Sequence, residues 1–285
     1  YVKRQHGIQV VVDAEGERLR HFDPQQRKLT LSKLLSLKQR VFQLAHQICL
    51  LEQTPQLDDM IRCARFSSEE TNAVCRVGLA NYFAGALLMP YSLFLKKAQQ
   101  ERYDIERLQI IFNVSFEQVC HRLSTLQRPG EKGIPFYFVR VDAAGNISKR
   151  QSASSFHFAR VGGACPLWNV HEAFAQPGKI LRQVAQMPDG KTYFCIARTV
   201  TRTEGGYLLP QKNFAVGLGC EIQHASQLIY SVGIDLNNKE AAVPIGVSCR
   251  VCERNNCPQR AFPPIGRKIQ ISENEREFLP YRFET

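Results

Sequence analysis

The chain opens with a mixed, polar stretch over residues 1–28. One short apolar run, Ile8 to Val12, predicts an edge strand or a hairpin there. From Thr30 the period changes. Leu31, Leu34, Leu35, Val41, Phe42, Ala45, Ile48 and Cys49 recur at spacings of three and four, the apolar stripe of a helix, and Pro55 lies beyond its end. A second helix is expected from Ser67, because Glu70 stands three residues on in a capping-box pattern. Its stripe runs through Val74, Val77, Ala80, Asn81, Ala84 and Leu88 and is limited by Pro90. Shorter helical patterns follow at about 91–101 and 104–112, and Ser115-Phe-Glu-Gln118 repeats the capping-box logic.

Pro129-Gly130 and Gly133 then punctuate the chain, and the texture turns to strand. Pro135 to Asp142 is aromatic and β-branched, with turn residues after it. Ile180–Met187 and Thr192–Thr203 read as a strand pair joined through Pro188-Asp189-Gly190. Phe214 to Cys220 reads as a strand leading into a helix at about 221–230. The expected fold is α+β: a mainly helical domain over 1–130, then an antiparallel sheet domain with a few helices over 131–285.

Composition narrows the function. Hydrophobic residues make up 44% and charged residues 22% of 285, near globular averages, which excludes collagen-like, coiled-coil and wholly disordered chains. No apolar stretch approaches the roughly 18 residues that span a bilayer, so we expect no membrane role. The balance of 37 Lys+Arg against 26 Asp+Glu gives +11 and points to a polyanionic partner: nucleic acid, a phosphate-rich cofactor or a membrane surface. The chain begins Tyr1-Val2-Lys3, without an initiator methionine or a signal peptide, so we expect a fragment of a longer protein. Ten cysteines in a chain long enough to bury a core fit a reducing, cytoplasmic compartment better than a secreted disulfide scaffold.

Three of those cysteines are bunched. Cys249, Cys252 and Cys257 form C-x2-C-x4-C-P in a polar, loop-like segment. Two intervening residues let two thiolates turn toward one centre, and the Asn255-Asn256 loop lets the third return to it. Proline after the last cysteine also occurs in iron–sulfur ligand runs. Arg250, Arg254 and Arg260 stand ready to offset thiolate charge. A closed site needs a fourth ligand, and Cys220 and Cys165 lead, each in Gly-rich surroundings. We take Cys220 with Cys249, Cys252 and Cys257 as the ligand set. An iron–sulfur cluster is the first reading. Zinc, with His224 available, and a metal-free redox-active cluster are the alternatives. Three buried structural thiols are the bland reading, which a polar segment disfavours.

Other chemistry is missing. A zinc peptidase needs H-E-x-x-H on a helix, two imidazoles one turn apart and a glutamate to activate water. The first helix offers His46, but Gln47 and Leu50 hold the other positions. His46 reads as a histidine packed in a helical domain. There is no G-x-S-x-G, P-loop or G-x-G-x-x-G. We therefore expect no enzyme.

Taken together, these segments resemble known families. Glu70 to Pro90, ending Ala80-Asn-Tyr-Phe-Ala-Gly-Ala-Leu-Leu-Met-Pro90, is similar to the ImmA/IrrE metallopeptidase-like domain of bacterial regulators. The later half resembles the short-chain fatty acid regulators of actinobacteria. The carrying motifs are Gly163-Ala-Cys-Pro-Leu-Trp-Asn169, Pro188-Asp-Gly190, Gly219-Cys220 with His224-Ala225, and Pro244-Ile-Gly-Val-Ser-Cys through Arg260-Ala-Phe-Pro-Pro264. The resemblance implies a [4Fe–4S] cluster on the cysteine run and a response to short-chain acyl-CoA. It also implies control of propionate or acetate assimilation genes through a helix-turn-helix DNA-binding domain outside this chain. The peptidase-like part then serves as a scaffold without catalysis, in a homodimer or higher homo-oligomer.

Coenzyme A would require cations for its phosphates, a ring or apolar face for adenine and an apolar pocket for the acyl group. Arg160, Lys179, Arg182 and Arg198 are the candidates for phosphate contacts; Trp168 and Phe174 are those for ring or acyl contacts. Each has a plainer role open to it: solvated strand arginines, and Trp168 as a core anchor. Two other readings stay open, a divergent zinc hydrolase using His46 and a structural zinc module for protein partners.

Overall fold

The computed structural model describes residues 1–13, 18–158, 163–202, 208, 211–275, 279 and 281–283. Helix α1 (Val2–His6) leads into strands β1 (Gln9–Asp13), β2 (Arg20–Asp23) and β3 (Lys28–Ser32), which form one sheet in the order β1-β3-β2. This corrects the helix expected from Thr30. Leu29 and Leu31 alternate with half-buried neighbours and point together into a small core with Val2 and Ile8, so period two rules here. Helix α2 (Leu37–Glu52) starts later, where Ser36 and Gln39 form a reciprocal capping box. Pro55 lies in the first turn of a further helix, α3 (Thr54–Ala64), where a missing N–H is harmless.

Helix α4 (Glu69–Leu88) is capped by Ser68, one residue after the expected Ser67. Helices α5 (Tyr91–Gln100), α6 (Ile105–Phe112) and α7 (Phe116–Leu123) fall where the pattern placed them, and the Ser115–Gln118 capping box is present. Next come the minimal pair β4 (Gln127–Arg128) and β5 (Glu131–Lys132), then β6 (Tyr137–Asp142), β7 (Ile147–Ser152) and the short helix α8 (Asn169–Glu172). Strands β8 (Leu181–Gln186), β9 (Thr192–Arg202), β10 (Lys212–Glu221) and β11 (Val243–Pro244) complete the main elements. The helix expected at 221–230 is two 3-10 turns, Ile222–Gln227 and Ile229–Ser231. Strands β12 (Ile269–Gln270) and β13 (Arg282–Phe283) pair near the end of the chain.

The six-stranded sheet has the order β11-β8-β9-β10-β6-β7, antiparallel except for the parallel β11–β8 pair. Both faces are covered, so its central strands are apolar almost continuously. On one face Phe138, Phe194, Ile196, Val216, Leu218 and Cys220 pack against Phe94, Leu108, Val119 and Leu123 of α5–α7. On the other, Tyr137, Val139, Cys195, Ala197 and Ala215 pack beneath Phe156, Cys165, Trp168, Val170 and Ile245. The first of these cores runs across the Pro129-Gly130 stretch, joining helices before it to strands after it. Each fully buried Phe or Leu contributes roughly 1.5–3 kcal/mol by removal from water.

Among the described residues no single helix is long and apolar enough to cross a membrane. Helices α4 and α5 pass such a test only as a pair bent by 63°.

Candidate metal centre

The second face of the sheet positions a recess. Ile245 donates its N–H to the Gln186 carbonyl at 3.0 Å, which fixes the start of the cysteine loop to the end of β8. A 3-10 turn over Cys249–Val251 then presents Cys249 and Cys252. Cys257 follows, and the Arg260 N–H returns to the Cys257 carbonyl at 3.2 Å. From across the recess comes Cys165, on the loop before α8. It is held by the Trp168 N–H, which donates to its carbonyl at 3.0 Å. Cys165, Cys249, Cys252 and Cys257 line one opening together with Gly246, Arg254 and Arg260.

The lining suits sulfur. Burial pushes the Cys165 thiol up, while the N–H groups of Gly246 and Leu167 aimed at its sulfur pull it back. The Ala261 N–H donates to Cys249 Sγ at 3.5 Å. Such bonds stabilise thiolates and set the electronics of a thiolate-ligated centre. Gly246 is required sterically: a Cβ there would lie 2.8 Å from Cys252 Sγ. The opening is far smaller than the ~300–1,000 Å³ typical of pockets for drug-sized ligands, so it is not a site for acyl-CoA.

The fourth cysteine lining the recess is Cys165, whereas Cys220, expected from the sequence, is not among the lining residues. Along β10, Gly217 and Gly219 face the recess side, where added Cβ atoms would meet Val170 and Tyr137. Cys220 has the opposite parity and lies in the core under α5–α7. Burial pushes its thiol well up, as expected of a packing cysteine. The glycines beside it, which in the sequence suggest access for a cluster, make room for a tyrosine and a valine. His224, on the 3-10 turn after β10, is absent from the lining.

The residues named for coenzyme A do not form one set. Arg160 lies outside the described residues. Lys179 is exposed and contacts Gln176 Oε1 at 3.4 Å. Arg182 donates to the carbonyls of Tyr230 and Val232 at 3.1 and 2.9 Å. Arg198 pairs with Glu106 at 3.0 Å and lies over the Phe116 ring. Arg182 and Arg198 belong to the helix-covered face, since Arg182 is opposite Ile196 in the register. Trp168 and Phe174 pack on the other. Trp168 is a core anchor, stacked on Phe156 at 5.3 Å.

The degenerate peptidase helix is equally settled. His46 is buried, and its Nδ1 contacts the Arg20 guanidinium. Burial and Arg20 hold the His46 pKa down to about 4. His121 is pushed down to about 3 by burial, Lys149 and Arg122. Both are neutral in the fold and take up protons on unfolding, from the free value of 6.5 downward. Stability should thus be intact above pH 6.5 and fall as pH drops toward 4, by about 1.4 kcal/mol per pH unit for each histidine. Urea denaturation from pH 7 to 4.5 should show this slope, and His46→Gln should remove about half of it. An unchanged slope in the variant would disprove the assignment.

Comparison with known proteins adds relatives. A family model described as short-chain fatty acyl coenzyme A regulator, C-terminal, matches residues 125–281. One described as IrrE N-terminal-like domain matches residues 3–124. The chain is 52% identical over 277 residues to the HTH-type transcriptional regulator PrpR of Mycobacterium tuberculosis, covering 96% of this chain and 57% of PrpR. It is 51% identical over 280 residues to the HTH-type transcriptional regulator RamB of that organism, covering 97% and 59%. With the propionyl-CoA carboxylase regulator of Cereibacter sphaeroides it shares 52% over 253 residues, covering 89% and 54%. The chain thus spans a little over half the length of these curated relatives. A solved Mycobacterium tuberculosis transcriptional regulator is similar with a TM-score of 0.94 at 51% identity, over 99% of this chain and 86% of that one.

Proposed function

The chain belongs to the short-chain fatty acyl coenzyme A regulator family, and from that premise we propose that it is the sensing region of a cytoplasmic transcription factor. Its ligands are short-chain acyl-CoA and a [4Fe–4S] cluster, and its output is control of propionate and related fatty acid genes. DNA is read by a helix-turn-helix domain outside residues 1–285, as the names of two relatives suggest. The chain does not catalyse a reaction, because the family is one of regulators, and Gln47 and Leu50 replace the peptidase base and second ligand.

The observation that carries the cluster reading is the convergence of four thiols on one recess beside a buried cation. Among the described residues no group of three or more His, Cys, Asp or Glu side chains is already gathered as metal ligands, so the preference for an iron–sulfur cluster over zinc rests on the C-x2-C-x4-C-P spacing and on the family. When bound, such a cluster supplies one-electron chemistry or a cross-link between the two loops. The chain's own residues orient the thiolates, donate N–H groups to them and close the recess.

A switch needs two states that bind the ligand unequally. In this reading the sheet links the two states, with the cysteine loops packed on one face and α5–α7 on the other.

Anaerobically purified protein should contain about four irons and four acid-labile sulfides per chain. Propionyl-CoA should give measurable heat in calorimetry, and its binding should alter affinity for promoter DNA in the full-length regulator. Stoichiometric zinc without sulfide would replace this reading with the structural zinc module. Absence of heat with any short acyl-CoA would remove the ligand.

A further inference from the structure

We propose that Arg260 both braces the cysteine loop before any metal arrives and supplies the counter-charge to the loaded centre. The second half rests on the cluster reading above; the first does not. Arg260 is 8% exposed and lines the recess. Nη1 donates to the carbonyls of Cys249 and Phe262 at 3.1 and 3.4 Å. Nη2 donates to those of Cys252, at 3.2 Å, and Arg254. One planar fork therefore collects the backbone around two of the four cysteines. The Phe283 ring of β13 covers the guanidinium at 4.8 Å and helps to exclude water.

Two features of this arrangement are costly unless something answers them. The guanidinium forms no ion pair with a described carboxylate, so among the described residues its buried positive charge is met only by carbonyl dipoles and the Phe283 ring. Its Nε is also buried without an acceptor among the described residues. Buried charges persist when paired, and four neighbouring thiolates on an iron–sulfur core form an anionic partner. One-electron reduction adds a further negative charge, so a nearby cation favours the reduced state.

The other two arginines of the run have different duties. Arg254 reaches away to the sheet, donating from Nε to the Ile245 carbonyl at 3.2 Å and from Nη2 to that of Gln186 at 2.8 Å. It ties the loop to the end of β8 and is itself held through its carbonyl by Arg260. The Arg250 guanidinium lies over the exposed Phe262 ring at 4.9 Å. Lysine cannot replace Arg260 as a brace, because an ammonium has no rigid fork to satisfy carbonyls on several sides, but it preserves the charge.

That difference gives the test. Arg260→Gln, Arg260→Lys and Arg250→Gln are prepared anaerobically in the full chain. Amide hydrogen exchange is followed in metal-free protein at residues 251, 252 and 260, whose N–H groups bond within the loop. The cluster's midpoint potential is measured by redox titration in loaded protein. Both Arg260 variants should exchange about 10–100-fold faster at these amides. The potential should fall in Arg260→Gln and remain near wild type in Arg260→Lys, and Arg250→Gln should change neither quantity. Wild-type exchange in both Arg260 variants overturns the brace. An unshifted potential in Arg260→Gln overturns the counter-charge. Protein without iron or sulfide removes the cluster reading and the counter-charge with it, while the exchange data still decide the brace.

Discussion

Cys165→Ser is expected to abolish iron and sulfide incorporation, whereas Cys220→Ser should retain both. The two cysteines look alike in the sequence, each beside glycines, yet they lie on opposite faces of the sheet. Cys165 faces the recess with Cys249, Cys252 and Cys257. Cys220 is fully buried among the side chains beneath α5–α7. Loss of an outer-shell partner already costs a metal site roughly 10–100-fold in affinity. Loss of one of four thiolates should cost more, enough to leave as-purified protein colourless. Cys220→Ser buries a hydroxyl in an apolar core and should lower stability by about 1–3 kcal/mol, read as a lower urea midpoint with iron content intact. Iron retained in Cys165→Ser and lost in Cys220→Ser would overturn the geometry.

That Cys165 and not Cys220 lines the recess shows which parts of the site are legible in the sequence. The run Cys249-x2-Cys252-x4-Cys257 is local, so spacing alone marks it. The fourth position is set by which loop crosses the sheet to meet that run, a contact between segments far apart in sequence. One local clue is present. In Gly217-Leu218-Gly219-Cys220 the side chains alternate faces, so a cysteine two residues from Leu218 shares Leu218's core. Arg260 is visible as a charge, but its role depends on four carbonyls that only the folded loop gathers.

The same division runs through the fold. The Ser115 capping box is legible because its hydrogen bonds span three residues. The matching box at Ser36 is hidden, because the apolar stripe read from Leu31 runs across strand β3 and into α2 without a break. Both Leu31 and the residues of α2 are apolar on one side, and a short alternating segment placed before a helix blends into its period. The change of texture near Pro129-Gly130 marks where helices give way to strands. It does not mark the edge of a packing unit, since Leu123 and Leu126 share a core with Phe136 and Phe138.

Gly219→Ala should be among the most destabilising single-methyl changes in the sheet. An added Cβ would lie 2.5 Å from Cε1, Cζ and Oη of Tyr137, its cross-strand partner in β6. Such a contact is relieved only if one side moves, and the tyrosine has nowhere to go. Its ring is fully buried, stacked on Phe156 at 4.1 Å and tilted against Trp168 at 5.9 Å. Its hydroxyl donates to Cys195 Sγ at 2.8 Å. Overpacking typically costs about 1–3 kcal/mol, and displacing the phenol adds an unmet buried donor worth about 1–3 kcal/mol more. A loss of roughly 2–6 kcal/mol in urea denaturation is expected. Gly78→Ala provides the contrast: it sits within α4 with nothing within 4 Å of its Cβ position, and should gain about 0.5–1 kcal/mol from helix propensity. Tyr137→Leu in the Gly219→Ala background should recover part of the loss, because the smaller side chain vacates the space above residue 219. Strict additivity of the two changes would show that the ring is not what the methyl meets. The consequence reaches the recess, since Phe156 and Trp168, packed on that ring, belong to the chain segment that carries Cys165. Cluster content in Gly219→Ala should therefore fall along with stability, although residue 219 itself touches no ligand.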